Sequence, residues 1–283
     1  MTSPTPACAL CGLPTRFRTI LGCYPLCRCE ACDLEFIHPI PPQELLARVY
    51  AHGYFQGTGE RGYCDYFGVE RERAARKGAA WLDRIQSHGG RGGRLLDLGC
   101  AAGYFLEAAL ARGFDPYGVE PSGDARGKVS SALAGRVFPD VSAVRDKAPF
   151  DVITAWDVLE HLADPLAAVR ALAPLLRPGG LFAAVVPVQT NLNARLWPAS
   201  WDQYKPPEHL WFFSPRSLSR LLCEALGARE VASWDEWSRP GRLLLERPAP
   251  ALLHRLDRAL FAPLRLLRPR WLVDSSGVLV RRA

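Results

Sequence analysis

Residues 94–106, Arg-Leu-Leu-Asp-Leu-Gly-Cys-Ala-Ala-Gly-Tyr-Phe-Leu, limit the fold more than any other stretch of this chain. Leu95, Leu96 and Leu98 form a short apolar run, as expected of a strand buried on both faces. Asp97 stands near the carboxyl end of that run. Gly99, Ala101 and Gly103 follow at alternate positions, and Phe105, Leu106, Ala109 and Leu110 then fall at helical spacing. The pattern predicts strand, small-residue turn, helix. Such a turn lets backbone approach a ligand closely, and the helix amino end adds unpaired N–H groups.

Two nucleotide-type ligands suit a turn of this kind. A dinucleotide cradle wants G-x-G-x-x-G, but here Ala101 replaces the second glycine and the bulky Tyr104 follows Gly103. S-adenosylmethionine carries no phosphate and needs only a close approach to its amino-acid and ribose parts, so it fits better. Glu120 lies 21 residues beyond Gly99, at the end of a second short strand over 115–119. An acid at that distance can accept both ribose hydroxyls.

Further strands are expected at 136–138, 150–155, 181–186, 229–237 and 277–282. Helices are expected at 43–50, 66–85, 122–133, after Asp164-Pro165 and from Ser214-Pro215 to Leu226. Alternating strands and helices predict an α/β fold with a doubly wound, mostly parallel seven-stranded sheet. Ligands of such sheets sit beyond the carboxyl ends of the strands. Gly99, Glu120, Asp140 and Trp156 all fall at such ends. Asp140 is placed to take an adenine amino group.

The amino-terminal segment carries a second signal. Cys8-x-x-Cys11 and Cys29-x-x-Cys32 have the spacing of a four-cysteine zinc site. Four thiolates close the zinc tetrahedron, so a structural role is expected in a segment too small for its own core. Cys23 and Cys27 are two further thiols, either replacement ligands or free. The expected division is a zinc ribbon over 1–38, a linker with helices over 39–92 and a catalytic domain over 93–283. That domain carries a helical insertion at about 240–272, whose leucine- and arginine-rich stretch 249–272 is expected to pack on the domain or in a homodimer.

The net charge of +6 comes almost wholly from arginine, since Lys77, Lys128, Lys147 and Lys205 are the only lysines. No dense basic-aromatic stripe accompanies it, so a nucleic acid partner is not expected. The start of the chain lacks the pattern of a signal peptide, and no apolar run is long enough for a transmembrane segment. A cytoplasmic location is therefore expected, where cysteine pairs serve as metal ligands more often than as disulfides.

Four segments together carry a family resemblance. Asp97-Leu98-Gly99-Cys100-Ala101-Ala102-Gly103 resembles the first motif of class I S-adenosylmethionine-dependent methyltransferases, departing at Ala101, where glycine is common. Gly118-Val119-Glu120-Pro121-Ser122 resembles the ribose-binding end of their second strand. Phe150–Ile153 through Val158-Leu159-Glu160-His161 resembles their fourth-strand motif, and Leu176-Arg177-Pro178-Gly179-Gly180 the turn before the fifth strand.

The resemblance covers about residues 93–237 and implies a Rossmann-like methyltransferase with an amino-terminal zinc ribbon. Asp97, Gly99, Ala101, Gly103, Glu120, Pro121, Asp140 and Trp156 would then bind the cofactor. A small-molecule acceptor, in particular a hydroxyl of a biosynthetic or sugar-linked metabolite, would take the methyl group. His161 and His209 are the candidate bases, and Trp156, Trp201, Tyr204 and Trp211 are candidate walls of the acceptor pocket or core residues. Competing readings are an RNA methyltransferase docked by its ribbon and a non-catalytic cofactor-binding protein.

Overall fold

The structure is a computed structural model, and it describes residues 5–49, 54–55, 66–68, 70–196, 198, 201–237 and 273–283. The stretch 249–272, Trp197, Cys64 and most of the loop expected at 51–62 lie outside these residues.

The chain begins with β1 (Arg16–Leu21), β2 (Tyr24–Arg28) and β3 (Glu35–Ile37), then α1 (Gln43–Val49) and α2 (Glu70–Ser87). There follow β4 (Gly93–Leu98), α3 (Tyr104–Ala111), β5 (Phe114–Val119), α4 (Gly123–Arg126), β6 (Val137–Phe138) and β7 (Phe150–Trp156). The remainder is α5 (Pro165–Leu172), β8 (Leu176–Pro187), α6 (Leu192–Leu196), β9 (Trp211–Phe212), α7 (Pro215–Leu226), β10 (Ala228–Trp237) and β11 (Val273–Arg282).

Seven strands form one sheet in the order β10-β11-β8-β7-β4-β5-β6. β4 pairs parallel with β5 on one side and with β7 on the other, and β5 pairs parallel with β6. The chain thus runs outward from β4 to β6 and returns to the opposite flank of β4. The carboxyl end of β4 is therefore a topological switch point, where a crevice opens for ligands. Leu95, Leu96, Val152, Ile153 and Phe182 are buried, which accounts for the continuous apolar runs. α5 starts as its sequence predicts, with the Asp164 carboxylate accepting from Ala167 N and Pro165 in the first turn.

Two expected elements differ. The helix expected over 122–133 stops after one turn, at Arg126, because Gly127 and the Ser130-Ser131 pair supply no helical propensity; a 3-10 turn at Ser131–Leu133 follows. Leu176–Gly180, read as a turn, is the first part of β8, with Gly179 at φ 70 absorbing the irregularity.

Contacts divide the chain into two units: residues 1–40, 185–221 and 233–278, and residues 41–184, 222–232 and 279–283. In this division the cysteine-bearing segment is grouped with chain far from it in sequence. β9 completes a four-stranded sheet of order β1-β2-β3-β9 in the first unit. Glu35 faces Phe212 and Phe36 faces Trp211 across that pairing, 175 residues or more apart in the chain. A hydrophobic strand edge gains more from such a partner than from water. No described helix is long and apolar enough to cross a membrane.

Candidate cofactor loop and cysteine centre

The loop after β4 is built on backbone that few residues adopt. Gly99 has φ 70, Ala101 φ 47 and Gly103 φ 79. A Cβ at Gly99 would lie 2.5 Å from Val158 Cγ2, so glycine is required here by both dihedral and packing. The small residue at this position thus makes room for the turn after β7. Ala101 N donates to Glu120 Oε2 at 3.0 Å, and Ser122 N donates to Glu120 Oε1 at 2.8 Å. One carboxylate thereby joins the loops after β4 and β5. Glu120 is buried, and burial raises its pKa against the pull of these two N–H groups. Each of its oxygens has a second lone pair, so the carboxylate can still accept from a ribose.

Asp97 lies beside Thr154 in the β4–β7 register, and the Thr154 hydroxyl donates to Asp97 Oδ1 at 2.6 Å. Burial pushes Asp97 up to about 8, with Glu120 adding to the rise and Thr154 opposing it. Asp97 is thus a neutral acid over much of the physiological range. Thr154 belongs to this site and was not expected, because only the strand register puts it beside Asp97.

The other expected residues divide. Pro121 offers its carbonyl to Arg126 Nη1 at 2.8 Å, within the same turn as Glu120. Asp140 is exposed; its Oδ1 accepts from Ser142 N, Ser142 Oγ and Ala143 N, which caps the turn after β6 and lowers its pKa. The Trp156 ring stacks on Trp81 at 4.2 Å between centroids and meets Phe105 edge-on at 5.2 Å. It packs against α2 and α3 at the carboxyl end of β7. Tyr104 was read only as an obstacle to a pyrophosphate. In the structure it stacks on Tyr66, donates to Phe67 O at 3.1 Å and lies beneath the Arg71 guanidinium, making the first residue of α3 an anchor for the segment before α2.

In the other unit the four expected cysteines converge. Cys8, Cys11, Cys29 and Cys32 place their sulfurs within 4.8 Å of one another, with Cys8 Sγ to Cys32 Sγ 3.6 Å and Cys11 Sγ to Cys29 Sγ 3.4 Å. A disulfide needs ~2.05 Å, whereas sulfurs at ~2.3 Å from a tetrahedral zinc stand ~3.8 Å apart. The arrangement fits a metal ion. Two matching turns create it: Gly12 N donates to Cys8 O at 2.8 Å, and Asp33 N to Cys29 O at 2.9 Å. Gly12 and Asp33 take φ 72 and 60, the left-handed step that closes each knuckle. Cys23 is exposed and Cys27 is buried; neither belongs to the cluster.

The two candidate bases fall in different units. His161 ends a 3-10 turn at Leu159–His161, its Nε2 3.9 Å from the buried Glu160 carboxylate. His209 is buried, and its Nδ1 lies 3.0 Å from Gln203 O. A carbonyl only accepts, so Nδ1 carries the hydrogen of this contact. Trp201, Tyr204 and Trp211 are buried within that unit, where Trp201 and Phe212 meet Tyr204 edge-on and Trp211 tilts against Phe36.

A parallel sheet reversing at β4, a small-residue loop there and an acid at the tip of β5 define a class I S-adenosylmethionine-dependent methyltransferase fold. Residues 70–232 match the family model described as "Methyltransferase domain", and the chain belongs to that family. Among curated relatives, a ubiquinone biosynthesis O-methyltransferase of Aromatoleum aromaticum is 34% identical over 161 residues, 51% of this chain and 67% of the relative. One of Xanthomonas campestris pv. campestris is 33% identical over 175 residues, 54% of this chain and 71% of the relative. The chain spans about half the length, 46%, of the Paraburkholderia phymatum protein of the same name.

Two solved structures share the fold. One is a SAM-dependent methyltransferase from Archaeoglobus fulgidus (TM-score 0.55, 21% identity, 77% of this chain and 99% of that one). The other is the Burkholderia thailandensis 1,6-didemethyltoxoflavin-N1-methyltransferase with bound 1,6-didemethyltoxoflavin and S-adenosylhomocysteine (TM-score 0.53, 17% identity, 95% and 99%).

Proposed function

We propose that this chain transfers a methyl group from S-adenosylmethionine to a hydroxyl of a small molecule. The observation that carries the reading is Glu120: one buried carboxylate fastens the loops after β4 and β5 at the switch point of the sheet. Glu120 would accept from the ribose hydroxyls, and the backbone of Gly99, Ala101 and Gly103 would border the methionine part. Asp97, Pro121, Asp140 and the backbone at Trp156 would complete the cofactor contacts. The O-methyltransferase relatives support a hydroxyl acceptor.

The cofactor supplies an activated methyl on a sulfonium; the protein has to align the acceptor and exclude water. His209, its Nδ1–H held by the Gln203 carbonyl, is the proposed base, whose Nε2 would take the hydroxyl proton as the oxygen attacks. His161 beside Glu160 is the second candidate. The four cysteines would hold one structural zinc, which leaves no open coordination position for chemistry. A cytoplasmic site of action agrees with thiols kept reduced for metal.

The test is calorimetry with S-adenosylhomocysteine, followed by transfer of labelled methyl from S-adenosylmethionine to a panel of hydroxylated aromatics and sugar nucleotides. Binding together with transfer that drops at least tenfold in His209→Ala supports the reading. Absence of any cofactor binding at millimolar concentration overturns it.

A further inference from the structure

Glu35 is fully buried on β3, yet its carboxylate accepts four hydrogen bonds among the described residues. Arg18 Nη1 reaches both of its oxygens at 2.5 Å, and Arg28 Nη1 donates at 3.0 Å. The Tyr204 hydroxyl donates to Oε2 as well. A bulge between Phe17 and Thr19 in the β1–β2 register frees Arg18 from the regular alternation of β1.

From this carboxylate two arms extend. One runs to the metal knuckle: Arg28 Nη2 donates to Asp33 Oδ1 at 2.9 Å, and Asp33 N closes the turn onto Cys29 O. Gln189 Nε2 donates to Asp33 O at 2.6 Å. The other runs to the His209 turn. Arg18 Nη2 donates to Ala194 O at 2.8 Å, and Arg18 Nη1 to the Tyr204 hydroxyl at 2.6 Å. Tyr204 is flanked in the chain by Gln203, whose carbonyl orients His209, and by Lys205, whose carbonyl accepts from Glu208 N and His209 N. Beyond His209, Ile37 N donates to Leu210 O at 3.1 Å, and β9 then joins β3.

We infer that Glu35 is a positioning residue that makes the Cys29–Cys32 knuckle and the 203–209 turn one element, so that metal occupancy sets the orientation of the His209 ring while leaving cofactor binding alone. The inference rests on the acceptor-side role of His209 proposed above. The physical reason is directionality. Apolar packing would bury the same surface at equal or lower cost than paired charges, but it would not fix angles. Here two guanidinium groups and a phenol converge on two oxygens, and the Nη2 of each guanidinium is held in turn, that of Arg18 by the Ala194 carbonyl and that of Arg28 by Asp33. Burial and Glu35 hold the Tyr204 phenol well above its ordinary pKa, so it stays a donor to the carboxylate. The Cys29–Cys32 turn is short and holds Asp33 in left-handed backbone. Loss of the ion that draws its sulfurs together releases Asp33, then Arg28, then the carboxylate.

The experiment uses the full zinc-loaded chain labelled with 15N histidine. The ring nitrogen shifts of His209, assigned by His209→Gln, report its tautomer, and backbone hydrogen exchange reports the turn. Calorimetry with S-adenosylhomocysteine reports the cofactor site. Removal of the metal with a chelator is expected to convert the single Nδ1–H tautomer into a mixture and to speed exchange at 203–212 roughly tenfold or more. Cofactor-product affinity should stay within about twofold. Tyr204→Phe should give the same histidine signature with zinc content unchanged, and Glu35→Gln should give it together with faster exchange in the knuckle.

A His209 tautomer unmoved by Tyr204→Phe and Glu35→Gln overturns the inference. So does a loss of S-adenosylhomocysteine affinity that parallels the histidine change. If the chelated chain unfolds, as exchange in β4 would reveal, Tyr204→Phe with its metal in place decides the matter. Failure of the wild-type chain to bind S-adenosylhomocysteine would sink the methyl-transfer reading instead, and the exchange and tautomer results would stand apart from it.

Discussion

Replacing Glu120 by glutamine is the most direct test of the cofactor site. The side chain is buried and accepts from Ala101 N and Ser122 N, one on each oxygen. In Glu120→Gln one oxygen becomes an NH2, so one of these N–H groups faces a donor, and the ribose hydroxyls lose a charged acceptor. A hydrogen bond to a charged group contributes about 1.5–3 kcal/mol, and a buried N–H without an acceptor costs a similar amount. Part of this strain is relieved by relaxation of the loop, and part is present with or without ligand. The net loss in S-adenosylhomocysteine affinity should therefore be that of about one charged hydrogen bond, roughly ten- to a hundredfold. Calorimetry at pH 7.5 measures it, with circular dichroism to confirm that the sheet is intact. Because burial raises the Glu120 pKa, wild-type affinity should also begin to fall at a higher pH than an ordinary glutamate would allow, as the carboxylate protonates. A folded variant that binds within twofold of wild type, with the same pH profile, refutes the ribose assignment.

Three further outcomes follow from the same geometry. Gly99→Ala should destabilise the chain by about 1–3 kcal/mol, since it adds a Cβ 2.5 Å from Val158 Cγ2 at φ 70, and Val158→Ala should recover part of that loss in urea melts. Asp97 ionises near 3.9 in the unfolded chain and at about 8 in the fold. Between those values the folded chain keeps a proton the unfolded chain has lost, so this group makes stability fall as pH rises, by at most about 1.4 kcal/mol per unit. Apo-protein melting should thus favour pH 6 over pH 8, and Asp97→Asn should flatten the difference. Finally, thiol titration should release one zinc per chain, and Cys32→Ser should lower both metal content and Tm, since four sulfurs share one site.

Short-range chemistry was legible without coordinates. The spacing of Cys8, Cys11, Cys29 and Cys32 follows from the length of two knuckle turns, a local property of the backbone. The strand–turn–helix around Gly99 is equally local, and the alternation after it leaves few sheet topologies open. The helix expected from 122 ends at Arg126 rather than 133 because a glycine and two serines outweigh the apolar spacing around them.

What the chain order could not reveal lies where distant segments meet. Thr154 joins Asp97 only through the β4–β7 register, and Glu35 gains Tyr204 only because β9 pairs with β3. The Trp156 ring meets Trp81 and Phe105 only because α2 and α3 pack beside the end of β7. By itself the amino-acid sequence determined which ligands this protein has the chemistry to hold, since donor types and turn spacings are written residue by residue. Only the tertiary structure decided which carboxylates are neutral, bonded or buried, because burial and hydrogen-bond partners are contributed by residues far away along the chain.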